Sequence, residues 1–451
     1  MLNPSMKAAI KYGLALILAM FCSMSLGWSK TSWSMLTVTV LATLEIYGYW
    51  AQKSRNRLYG TVIGTVVAFL IIGLSAQDRV MFIASLTAFL WVCVYYQSHR
   101  SLGYMFNIAI TVCLIISSSV SADSASVINT AILRMQDTVL GVVVFSLVYR
   151  LVWPTSTDEA YIKRAQTGLA ELQTLSTLLK ADKPDFEAIS KLAASVKKTS
   201  NGLKELLSLP VEDSDFLSRH RERLVELSTV VDNASKIVDQ ASSGEMTNVS
   251  ELDLQVLDEL IEKVRDFLES EGDVPLHHIN KRSLSRLPLM SLPKEKRIFF
   301  ANIAACVTVT AFALWIYMPV PNGVLFPTLA GVLAANILAI PGKAVKYIML
   351  FYTIVAAFLL LQYTFIMPAL TEAWQILALY FCNAVLFWQL CDILKMSPLK
   401  SLAGNILVNI PASAVELVPS FNIQGPLNMI VILFMSLLLI EFYSKVFSIK
   451  A

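Results

Sequence analysis

The stretch Lys53–Ile71, KSRNRLYGTVIGTVVAFLI, sets Lys53, Arg55 and Arg57 directly against a glycine-threonine pair and then a run of hydrocarbon. Cations gathered at one end of an apolar segment mark the cytoplasmic end of a membrane-spanning helix. The rest of the chain agrees. Of 451 residues, 56% are hydrophobic and only 15% charged, and the mean hydropathy is +0.61. One soluble core cannot hide that much apolar surface, so the chain reads as an integral membrane protein.

Charge is unevenly spread. Residues 155–293 hold most of the Asp and Glu, so the chain runs apolar, charged, apolar. The formal net charge of +3 says little beside that pattern. The six cysteines lie in or beside apolar runs with no C-x-x-C pair. They read as small buried hydrophobes, with neither a disulfide framework nor a metal site. The first 27 residues mimic a signal peptide, but no cleavage site follows and a second apolar run opens at Trp33. They read as an uncleaved first span.

A span needs about 20 mostly apolar residues. Six candidates occupy roughly 8–27, 33–51, 58–76, 80–97, 102–121 and 132–153, and six more roughly 298–318, 323–340, 346–365, 373–391, 400–418 and 426–446. With the N-terminus inside, Lys7, Lys11, Lys53, Arg55, Arg57, Arg100 and Arg150 fall on the cytoplasmic side, as do Lys294, Lys296 and Arg297. Lys30 and Arg79 fall outside, and Arg134 stands near the outer end of span six. The expectation is an all-α integral membrane protein of about 12 transmembrane helices. It divides into a first half (1–154), a cytoplasmic helical domain (155–293) and a second half (294–451), with both termini cytoplasmic.

The charged stretch carries helical stripes: Leu169, Leu172, Leu175 and Leu179; then Phe186, Ile189, Ala193, Val196 and Leu203. Leu224, Leu227 and Val231 belong to a third, and Val256, Leu260 and Val264 to a fourth. Ser156-x-x-Glu159 and Ser250-x-x-Asp253 resemble N-terminal capping boxes. A bundle of about four helices follows. There is no Gly-x-x-x-x-Gly-Lys phosphate loop, and His277-His278 reads as linker rather than metal site. No cofactor and no nucleic-acid partner are expected.

The apolar halves look like weak repeats. Val66–Ile71, VVAFLI, resembles Val355–Leu360, VAAFLL, in the third span of each half, and Arg100–Leu102 matches Lys400–Leu402 at the fifth. Six spans per half gives both halves the same orientation, a parallel repeat of the kind secondary transporters use.

Arg57-x-x-Gly60-Thr61-x-x-Gly64 resembles the signature of the fusaric acid resistance protein-like family, which includes the aromatic acid exporters. Trp33-x-x-Leu36-x-Val38 opening span two, Arg134 ahead of Gly141 in span six, and Val152–Pro154 closing it are similar to that family too. The layout of six spans, a helical insert and a second membrane half covers the whole chain. The resemblance implies a bacterial inner-membrane efflux protein for aromatic or related weak acids and toxic compounds. It also implies a periplasmic membrane-fusion adaptor and an outer-membrane channel as partners.

The residues themselves suggest chemistry. Gly60 and Gly64 share a helix face with Thr61 beside them, which lets another helix approach closely. Set inside a ring of Lys53, Arg55 and Arg57, they suit a positive mouth that concentrates organic anions. The plainer reading is close packing, orientation and lipid-headgroup contact. Glu45 has two readings: an interfacial residue paired with Lys53 or Arg57, or a carboxylate that couples export to a proton gradient. Arg134 and Asp137, three apart, read as a structural ion pair. Asn405, Asn409 and Glu416 put a polar face on span eleven around Pro411, suggesting a cavity lining. The first half has no proline between Pro4 and Pro154, whereas the second has several, including Pro327, Pro368 and Pro411. Bent helices are therefore expected in the second half. Trp28, Trp33, Trp50, Trp91, Trp153 and Trp315 read first as interface anchors.

Three functions fit: a proton-driven exporter of weak organic acids, a passive anion conduit, or a non-transporting envelope assembly factor. No nucleophile elbow or H-E-x-x-H occurs, so an enzyme is not expected. Surrounding lipid, a small organic anion and a second copy of the chain complete the expected partners.

Overall fold

The computed structural model describes residues 3–75, 77–119, 124–180, 186–209, 288–320, 323–336, 345–396 and 399–448, with scattered positions from 224 to 266. The expectations for Leu227, Val256, Leu260, the Ser250–Asp253 box and His277-His278 lie outside the described residues, as does the side chain of Phe186. No strand forms among the described residues. The chain divides into two compact units, one of Met1–Glu45, Lys53–Trp153 and Leu289–Ala451, the other of Ile46–Gln52 and Pro154–Pro288.

In chain order the helices are α1 (Pro4–Ser25), α2 (Thr31–Leu41), α3 (Tyr47–Ser75), α4 (Arg79–Tyr96), α5 (Gly103–Ser118) and α6 (Ser124–Leu151). Then come α7 (Thr157–Leu179), α8 (Phe186–Ser208), α9 (Lys294–Tyr317), α10 (Leu325–Ala335) and α11 (Val345–Leu361). The last are α12 (Ala373–Ile393), α13 (Leu399–Asn409) and α14 (Gln424–Ser448). Among the described residues, eight are long and apolar enough to cross a membrane: α1, α3, α4, α6, α9, α11 with the turns that extend it to Ala369, α12 and α14. This defines a multi-pass, all-α membrane protein.

Four of the about 12 expected spans are shorter than a full crossing among the described residues. A helix stands at each expected position, but α2, α10 and α13 have 11 residues each and α5 has 16. Eleven residues reach about 16 Å, half of a ~30 Å hydrocarbon core. These short helices fall second and fifth in each apolar half. Their ends have separate causes. The last carbonyls of α2 are taken by side chains from other helices: Lys53 Nζ donates to Val40 O at 2.9 Å, and Tyr149 Oη to Ala42 O at 3.3 Å. No proline is involved in that ending. α13 stops ahead of Pro411, which leads into the short turn Ala412–Val415. Pro327 does not break α10, because it sits in the first turn, where a missing N–H costs nothing. α11 passes into a wide turn at Gln362–Ile366, where the buried Gln362 and Asn383 amides bond each other reciprocally at 3.1 and 2.6 Å.

Packing in the apolar unit comes in matched pairs. α1 lies on α12, and α9 on α4. α2 packs against α6 and α13, and α10 against α14 and α5. α1 touches α2 and α6, and α9 touches α10 and α14. Small residues permit the closest approaches. A Cβ on Gly60 would lie 2.6 Å from Met105 O of α5, and one on Gly64 would strike Ala109 O. Gly141 of α6 meets Ser34 and Thr37 of α2 in the same way.

In the polar unit, α7 packs on α8. Leu172 and Leu175 of the first stripe and Ala193, Val196 and Leu203 of the second are buried. Ser156 caps α7, accepting from Glu159 N at 3.1 Å. Tyr161, fully buried, donates to Leu224 O at 2.9 Å. Burial pushes its hydroxyl pKa up, so it remains a donor at neutral pH. Tyr161→Phe is expected to lower the opening free energy of α7 by about 1 kcal/mol, read by hydrogen exchange on the full chain.

Candidate anion site

The motif on α3 builds a cationic cluster around the buried Arg57. Arg57 is 8% exposed, and its Nη1 donates to Tyr104 Oη of α5 at 2.7 Å. Lys53, one turn earlier, caps α2 at Val40 O, and its ammonium lies 5.0 Å from the Tyr104 ring centroid. A cation there meets the negative end of the α2 dipole. Asn56 Nδ2 donates to Ser101 O, tying α3 to the start of α5. Thr61 is buried, but its hydroxyl donates back to Arg57 O at 2.9 Å and so serves its own helix. Arg55 points away and is exposed. Gly60 and Gly64 seat α3 on α5 and thereby place Arg57 against Tyr104.

Arg134 joins this cluster. It stands in the third turn of α6, which begins at Ser124. Its guanidinium lies 3.6 Å from the centroid of the Trp33 ring and within electrostatic range of Arg57. The expected Arg134–Asp137 ion pair is corrected. The two interact electrostatically, but Asp137, 1% exposed, has no hydrogen-bond partner for either oxygen among the described residues. Stacking on Trp33 holds Arg134 instead.

Three other candidates stand elsewhere. Glu45 lies in the break between α2 and α3 and is exposed. Lys11 and Tyr149 are among its electrostatic neighbours. The Asn405 and Asn409 amides bond back to Ser401 O and Asn405 O within α13. Glu416 follows the turn after α13 and pairs with Lys30 at 2.5 Å, both side chains over a third exposed. Lys30→Ala is expected to cost under about 1 kcal/mol in thermal unfolding. Sequence reasoning missed Tyr104 and the Val40 carbonyl as partners of the motif. The one signal was the nearness of Tyr104 to Arg100–Leu102.

Lys53, Arg57 and Arg134 thus surround a region where Asp137 is the buried carboxylate. Like charges in a poorly solvated site repel, and an anion relieves them. Arg57 Nε and Arg134 Nε are buried without partners among the described residues.

A multi-pass helical membrane protein with a cationic cluster among its helices is the class these features define. The profile of the fusaric acid resistance protein family matches residues 6–287, more than half of the chain and all of the cluster. The chain belongs to that family. A comparison with curated proteins found no match.

Proposed function

We propose that the protein is a secondary exporter of aromatic or other weak organic acids, with the Lys53–Arg57–Arg134 cluster as the anion site. The gathering of two half-buried cations, Lys53 and Arg134, around the buried Arg57 carries this reading. Family membership supports a transport role. Asp137, buried beside Arg134, takes the coupling role first considered for Glu45, since intramembrane carboxylates commonly serve as proton relays. The matched packing pairs and the short second and fifth helices support two parallel six-helix repeats. Lys and Arg distribution supports cytoplasmic termini and a cytoplasmic polar unit in a bacterial inner membrane. A periplasmic adaptor, an outer-membrane channel and a second copy of the chain are the proposed partners. No catalytic role is proposed.

The test is transport by purified protein in liposomes, with hydroxybenzoate followed under an imposed pH gradient. Accumulation against the substrate gradient that disappears in Asp137→Asn supports the exporter. The exposure of Glu45 favours one second reading, a passive conduit, which needs no titrating carboxylate. Movement only down the substrate gradient, unchanged in Asp137→Asn, would establish that instead.

A further inference from the structure

We infer that the seam between α4–α5 and α9–α10 carries a second ligand site, shaped for an aromatic anion of two or more rings. These four helices line a cavity of about 570 Å3. Phe82 of α4 and Phe312 and Trp315 of α9 form an aromatic wall, with the last two ring centroids 6.2 Å apart. Gln77 and Arg79 stand beside it, and Ser117 lines it from α5. Arg79 is exposed and makes no ion pair among the described residues. The neighbouring Asp78 is engaged elsewhere, accepting from Val80 N and Met81 N to cap α4. A cation beside aromatic rings recognises an anionic group on an aromatic body.

Size narrows the ligand. Sites for drug-sized molecules run from about 300 to 1,000 Å3, and a one-ring acid would leave most of this volume unfilled. Place suggests its role. α5 carries Tyr104 of the Arg57 cluster near one end and Ser117 of the cavity at the other. Between them α10 presses on α5, and a Cβ on Gly331 would lie 2.8 Å from Leu114 Cδ1. At the matching seam, where α2 meets α13, the Lys30–Glu416 pair stands at the corresponding helix ends. As a last station on an export route the cavity rests on the proposed function; as a binding site it does not.

The test uses the full chain in lipid nanodiscs and the photoreactive two-ring acid 4-benzoylbenzoate, with adducts mapped by mass spectrometry. Saturable labelling on Phe82 and Phe312–Trp315 is expected. Arg79→Gln should weaken it by about tenfold, the scale of one charge-assisted contact, and benzoate should compete poorly. Arg57→Gln should leave it intact. Adducts absent from this wall would overturn the inference. So would labelling that never saturates and ignores Arg79→Gln, which marks partition from lipid. Export without cavity labelling would sink this site alone; cavity labelling without export would sink the exporter alone.

Discussion

Arg57→Gln is expected to reduce organic-acid export by roughly 30-fold or more, the scale of the ~2–5 kcal/mol lost when a buried charge loses its contact. The substitution removes the cation that reaches Tyr104 and leaves an α3 that still packs on α5 through Gly60 and Gly64. Arg57→Lys separates charge from geometry. It keeps the positive charge but loses the planar fork, so partial export is expected. Tyr104→Phe removes only the hydrogen bond and should cost about 1 kcal/mol. Initial rates in proteoliposomes check all three, with elution as a monodisperse peak showing that each variant is folded. Full export by folded Arg57→Gln would remove the motif from the transport path.

Gly64→Leu is expected to abolish accumulation of folded protein. A Cβ at Gly64 would strike Ala109 O and lie 3.0 Å from Val112 Cβ, both on α5. Backbone cannot yield as a side-chain tip does, so even Gly64→Ala should cost about 1–3 kcal/mol by overpacking. Gly73, two and a half turns further along α3, is the control, because a Cβ there meets nothing within 4 Å. Gly73→Ala should be neutral or stabilising by about 0.5–1 kcal/mol, since alanine loses less freedom in a helix. Thermal unfolding in detergent reads the difference. Equal effects at the two glycines would show that helix propensity, rather than contact with α5, governs α3.

Much of the fold was legible in the sequence because hydrocarbon length and charge placement are local properties. Helices stand at all twelve expected positions, and the first two stripes of the polar stretch supply buried residues to α7 and α8. Helix ends were less legible. Span two was expected to reach residue 51, yet α2 stops at Leu41 and α3 starts at Tyr47. Nothing in Ala42–Ile46 is a breaker by composition. The stop depends on Lys53 and Tyr149, which reach its carbonyls from α3 and α6. The same displacement carried Glu45 out of a helix and into an exposed break.

The candidate site divides the same way. Arg57, Gly60 and Gly64 were readable because their spacing puts small residues on one helical face beneath a cation. Arg134 and Asp137 were readable as candidates, but their relation was not. Three-residue spacing permits a pair, and only the approach of Trp33 from α2 decides that the guanidinium stacks instead.

The sequence by itself determined that this chain is helical, that its apolar halves enter a membrane around a polar insert, and that Arg57 heads a close-packed helix. Those follow from hydropathy, charge and short-range periodicity. Only the tertiary structure decided which helices are short, which cations gather, and that Asp137 rather than Glu45 is the buried carboxylate. Carbonyl capping, ring stacking and burial depend on groups far apart in the chain, and only packing brings those groups within a few ångströms.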